Sequence, residues 1–170
     1  MKRFFLAALL IAACAFSSQA QAYAIIDTKY ILDKIPDYKD AQKTLDDVSA
    51  AWQKEIDTKQ SDLDRMYRNF EAEQVMLSDD LKKKREDELF MHEKEVRDLQ
   101  KQRFGFEGDL FKKRQELVKP IQDKVYTAIQ KVAVNRHYDF ILDKSEGITV
   151  IFADPKLDRS EDVLRELGVK

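Results

Sequence analysis

Side chains able to do chemistry are plentiful in this chain, but they are scattered. The 170 residues include 32 Asp and Glu, 2 His and a single Cys, whereas a catalytic or metal site needs such groups converging at hydrogen-bond or ligand distance. His92 and His137 lie on different segments, and neither has a His or Cys partner at ligand spacing. Gly105-Phe106-Glu107-Gly108 has neither the preceding strand nor the spacing of a phosphate-cradling loop. The carboxylates fall in charged stretches of helical period, where they read as solvated faces. These patterns predict no enzyme, no metal and no cofactor. A formal net charge of −2 also speaks against a nucleic-acid partner, because neutralising a phosphate backbone needs a basic face.

The concentrated chemistry is apolar. Met66, Tyr67, Phe70, Val75 and Met76 crowd one stretch, and Leu89, Phe90, Met91, Phe104 and Phe106 another. Most of these should pack between helices. Phe104 and Phe106, however, point about 200° apart on a helix, more than one seam can cover. Met and aromatic side chains repack around different shapes and suit promiscuous binding. The candidate binding set is therefore Met66, Phe70, Met76, Leu89, Phe90, Met91, Phe104 and Phe106. Lys82-Lys83-Lys84-Arg85 is a basic run that reads equally as a solvated helix start or as a contact for acidic lipid or protein.

The elements that must position these residues occupy Pro36 to Arg136. Leu45, Val48, Trp52, Ile56, Leu63, Met66 and Phe70 recur at helical steps, and the stretch is too long for one helix in a chain this small. Two long antiparallel helices are predicted, the first from about Asp37 to Met76 or Leu77. Pro36 suits its first turn. Its stripe is dilute, so the seam should be weak and the far end mobile. The turn is expected near 77–80, with Ser78 capping the returning helix. That helix carries a seven-residue series, Phe90, Arg97, Phe104, Phe111, Val118, Val125 and Val132, with a second, Leu89, Val96, Arg103, Leu110, Leu117 and Lys124, beside it. Such a repeat predicts a supercoiled partner. The outgoing arm holds 6 basic and 12 acidic residues over 37–80, and the returning arm 12 basic and 9 acidic over 81–119, so antiparallel packing makes the arms complementary. Gly105 and Gly108 should form a joint, and Pro120 a kink where the arm meets the body.

Around the hairpin lie shorter elements. Tyr23–Asp27 reads as a buried strand and Thr28–Ile35 as a short helix. Tyr138–Asp143 and Ile148–Phe152 should form a β-hairpin across Ser145-Glu146-Gly147, and a last helix should end at Gly168. The first 22 residues have the form of a secretory signal: Lys2 and Arg3, an apolar run, then Ala20-Gln21-Ala22. Export to the periplasm follows, and removing that segment leaves 28 basic against 32 acidic residues. Ile11-Ala12-Ala13-Cys14 also resembles a lipoprotein box, but cleavage after Ala22 is preferred because the first strand starts at Tyr23.

The fold class is mostly α with a small β body: a long helical hairpin (37–119) projecting from a strand-based oligomerisation domain (23–36 and 120–170). Three strands leave two open edges, and a body this small buries little alone. Pairing between copies through Ile25, Ile26, Phe140, Leu142, Val150 and Phe152 resolves both.

In order along the chain, the signal segment, Tyr23-Ala24-Ile25-Ile26-Asp27, Ile35-Pro36-Asp37-Tyr38, the charged hairpin, Lys119-Pro120-Ile121, Tyr138–Asp143 and Asp154-Pro155-Lys156-Leu157-Asp158 resemble the OmpH/Skp family of periplasmic chaperones. That resemblance implies a homotrimer whose strands form a central barrel and whose hairpins enclose a cavity for unfolded outer-membrane proteins. Binding would be ATP-independent. Contact of the arm tips with a membrane surface is a further expectation. Unlike the best-known basic members, the mature chain is net acidic. The alternative from another class is an envelope adaptor whose hairpin docks on one specific partner.

Overall fold

The computed structural model describes residues 21–145 and 150–169. Cys14, most of the signal segment, Glu146-Gly147 and the first residues of the expected strand at Ile148 lie outside the described residues. The elements run β1 (Tyr23–Ile26), α1 (Thr28–Lys34), α2 (Pro36–Glu73), α3 (Asp79–Phe104), α4 (Asp109–Arg136), β2 (Phe140–Asp143), a 3-10 turn (Pro155–Leu157) and α5 (Ser160–Glu166). The chain divides into two compact units, Asp33–Lys124 and the residues on either side of it.

The flanking unit is built on β1. Ala24, Ile25 and Ile26 are all buried, as expected of a strand covered on both faces. β2 runs parallel to it, from Tyr23 opposite Phe140 to Ile26 opposite Asp143. On the other edge of β1, Ile25 bridges Asp158, and Arg159 N–H donates to the Ile25 carbonyl at 2.8 Å. The structure departs from the expected β-hairpin. Tyr138–Asp143 does supply a strand, but its partner is β1. Val150–Phe152 is not a strand, and Ile151 and Phe152 stand 94% and 84% exposed.

Polar groups close the ends of this unit. The Asp27 side chain accepts from Tyr30 N–H at 2.9 Å and caps α1. Asp143 accepts from the Thr28 amide and hydroxyl and from the Ser145 amide. Burial pushes its carboxyl pKa up, but these hydrogen bonds outweigh burial and hold it below the usual aspartate range. Asp158, hydrogen-bonded by Lys144 and Ser160, is lowered against the same opposing burial. His137 ends α4 in the left-handed region (φ 58°). Its N–H reaches Val134 and that of Tyr138 reaches Ala133, the paired bonds of a Schellman cap. Gly168 (φ 74°) ends the last helix in the same way, with bonds from Gly168 to Arg165 and from Val169 to Leu164.

In the unit Asp33–Lys124, α2 begins with Pro36 in its first turn after Ile35 in extended conformation. Its 38 residues span about 57 Å. It stops at Glu73, a few residues short of the expected end. Ser78 occupies the N-cap position of α3, yet its side chain makes no capping bond; only its carbonyl takes part, accepting from Lys82 N–H at 2.9 Å. The returning arm is not one helix, as the joint read from Gly105 and Gly108 is a complete break. Gly105 leaves α3 in extended conformation (φ −69°, ψ 175°), and Glu107 takes φ 53°. A Cβ on Gly105 would lie 2.3 Å from the Lys101 carbonyl oxygen, and one on Gly108 2.7 Å from that of Gln102. Glycine is needed at both positions by close backbone approach. Pro120 lies inside the continuous helix α4.

Candidate functional site

The seam of the hairpin consists of Ile56 and Leu63 from α2 against Leu89 and Val96 from α3. Met66, Phe70, Leu99 and Phe104 pack against this cluster, and Phe104 meets Trp52 edge-on with ring centroids 6.4 Å apart. A cavity of about 100 Å³ opens between the helices near the turn, lined by Met66, Phe70 and Leu89 together with polar side chains. A second, more open cavity of about 310 Å³ lies beside Leu63, Met66, His92 and Val96, so the seam is loosely packed at Val96 as well as toward the turn.

The eight residues proposed from sequence separate into two groups. Leu89 is buried in the seam, and Met66, Phe70 and Phe104 pack on it; these four hold the helices together. Met76, Phe90, Met91 and Phe106 face solvent, Phe106 at 96% exposure. Val75 and Leu81, which bracket the turn, are exposed with them. Neither was in the sequence-derived set, although their position beside an expected turn was a usable signal. Val75, Met76 and Leu81 lie at the turn and Phe106 in the break, with Phe90 and Met91 midway along α3 between them.

Charge plays a different part from the one expected. Arg65–Asp62, Arg85–Glu88 and Arg97–Glu93 each join residues of one helix. Among the described residues, the ion pair that crosses between α2 and α3 is Arg103–Glu55 at 3.5 Å. The other pairs of the hairpin are thus local and exposed, and such pairs gain little over hydration. His92 pairs with Glu95 one turn on, at 3.4 Å. Among the described residues no three His, Cys, Asp or Glu side chains gather as a metal site would, and no helix is long and apolar enough to cross a membrane.

The oligomer residues proposed from sequence also separate. Ile25 and Ile26 are buried within their own chain, and Leu142 and Val150 are half-buried. Phe140 stacks on Tyr23 with centroids 5.6 Å apart, and both rings remain partly exposed. Phe152, with Ile151, is open to solvent.

A long helical hairpin of this order, entered from a buried parallel strand, is shared with proteins already grouped. The OmpH-like outer membrane protein family matches this sequence over residues 22–167. The chain belongs to the OmpH-like family. No curated protein matches it in sequence. Among solved structures, the OmpH-like chain is similar to a crystal structure from Caulobacter crescentus CB15, described as a candidate outer membrane chaperone. The TM-score is 0.69 at 15% identity, over 89% of this chain and 86% of that one. At that identity the likeness is one of fold, and it covers nearly the whole OmpH-like chain.

Proposed function

We propose that this OmpH-like chain is an ATP-independent holdase chaperone of the periplasm, which keeps unfolded outer-membrane proteins from aggregating. The observation that carries the reading is the exposed set Val75, Met76, Leu81, Phe90, Met91 and Phe106. These side chains are left over after the seam is filled, on a hairpin whose remaining surface is charged. Weak, distributed apolar contacts of this kind hold a chain without fixing its shape. Release then runs on competing affinity, with no nucleotide needed. Residues 1–22 are the export signal in this proposal, 37–119 form the arm with its tip at 77–80, and 23–36 with 120–170 form the assembling body. The basic run Lys82–Arg85 brings the tip to membrane surfaces. Copies meet as a homotrimer through Tyr23, Phe140, Ile151 and Phe152, four of the apolar groups of the body left exposed. Gly105, Gly108 and Pro120 let the arm adapt to clients of different size.

The test is dilution of a urea-unfolded β-barrel membrane protein into buffer without nucleotide, followed by light scattering. The wild-type chain should suppress scattering. A variant with Met76, Phe90, Met91 and Phe106 replaced by Ser should suppress it several-fold less. Equal aggregation with and without a several-fold excess of the wild-type chain would overturn the proposal.

A further inference from the structure

Arg103 stands where three helices of one unit meet, in the last turn of α3 just before the break. Its Nη1 donates to Asp109 Oδ2, on the first residue of α4, at 2.8 Å. Its Nη2 reaches Glu55 Oε2 on α2 at 3.5 Å. The central carbon of the guanidinium lies over the Trp52 ring, 4.7 Å from its centroid. Gln102 Nε2 adds a bond of 3.2 Å to the same Asp109 oxygen. Each charge also suits its helix end, a cation at the C-terminus of α3 and an anion at the N-terminus of α4. One group is left out, since Arg103 Nε is buried without a hydrogen-bond partner. An unpaired buried donor weighs against the closed arrangement.

We propose that Arg103 is the bolt of a salt-sensitive latch on the break between α3 and α4. Closed, its fork ties Asp109 across the four residues of the break and Glu55 on the facing helix, so that the missing helical turn is bridged by side chains. Open, the break is held by the backbone bonds of Gly105, Gly108 and Lys112 and by the Gln102–Asp109 bond. The glycines give the chain room to turn there, and Arg103 decides whether it does. Only a planar fork with a stackable face satisfies Asp109, Glu55 and Trp52 together, so lysine cannot substitute. The pairs are partly exposed, and added salt weakens them because the screening length falls to about 3 Å at 1 M. The unpaired Nε keeps the closed state from being strongly favoured. The inference concerns the protein alone and stands apart from whether it holds clients.

Two readouts on the full chain test it: hydrogen exchange of the amides from 104 to 112, and the emission of Trp52, the chain's single tryptophan. Arg103→Met should speed exchange across the break about tenfold and shift the Trp52 emission. The amides around Leu63 and Leu89 should keep their protection. Salt at 1 M should reproduce the faster exchange in the wild type and add little in the variant. Asp109→Asn, which leaves the stacking on Trp52 intact, should speed exchange with little change in emission and serves if Arg103→Met folds poorly. Exchange at the break that ignores salt in the wild type would overturn the latch. So would variants that lose protection evenly along α2 and α3, since that would make Arg103 a general stabiliser.

Discussion

Leu89 and Phe90 are neighbours on α3, about 100° apart around the helix, and the two should respond oppositely to truncation. Leu89 is 5% exposed among Ile56, Leu63 and Val96, whereas Phe90 is 58% exposed. Leu→Ala in a core costs about 2–5 kcal/mol. Leu89 borders a cavity of about 100 Å³, so it starts with fewer contacts than a fully enclosed leucine. A seam of two helices can also partly close over the gap. The expected loss for Leu89→Ala is therefore at the low end, about 2–3 kcal/mol, or roughly a 30-fold or greater fall in the folding constant. Phe90→Ala removes a larger side chain but should stay within about 0.5 kcal/mol. Urea unfolding followed by far-UV circular dichroism, at one fixed protein concentration because assembly shifts apparent stability, measures both. An unchanged slope with denaturant would show that stability alone has moved. If Phe90→Ala proved as costly as Leu89→Ala, the seam would follow the Phe90 series and the assignment of exposed and buried faces would be refuted. In the scattering assay the order should reverse, with Phe90→Ala the weaker holder.

Gly105→Ala brings a Cβ to 2.3 Å from the Lys101 carbonyl oxygen; the resulting backbone shift should cost about 1–3 kcal/mol and appear as faster exchange confined to the break, whereas unchanged stability and exchange would show that the approach is relaxed at no cost. Asp143 offers a pH test: its pKa is held below the ordinary aspartate value of about 3.9 by Thr28 and Ser145 against burial, so its contribution to stability is present above that value and lost as pH falls through the folded one. Asp143→Asn should be less stable than wild type at neutral pH, and the gap should close as the pH falls below the ordinary aspartate value. A gap of constant size in urea titrations over that fall in pH would mean that the carboxylate's charge contributes nothing.

Much of the architecture was legible in the residues. Proline at position 36, the apolar spacing from Leu45 to Phe70, and the buried run Ala24–Ile26 place β1, α1 and α2 close to where they lie. Local preferences decide these elements, and each has a start or stop written in it. The candidate surface was only half legible. Met76, Phe90, Met91 and Phe106 face solvent, but Leu89 beside them does not. The reason is helical phase. Two seven-residue series run side by side from Leu89 and Phe90, and the longer one is the Phe90 series. The structure buries Leu89 and Val96 before the break and Val118, Val125 and Val132 after it. The residues from Gly105 to Gly108 reset the phase, so no single series describes the arm.

Period and breaker residues act over a few positions, so the residues alone dictate a long, charged helical hairpin and a short apolar strand. Tertiary packing chose which strand pairs with β1 and which heptad series forms the seam. It also decided that Arg103, one arginine among many on a solvated arm, bridges a gap in it. Those outcomes depend on residues from Glu55 to Asp109, or from Tyr23 to Phe140, arriving at one place. No local pattern records where distant segments meet.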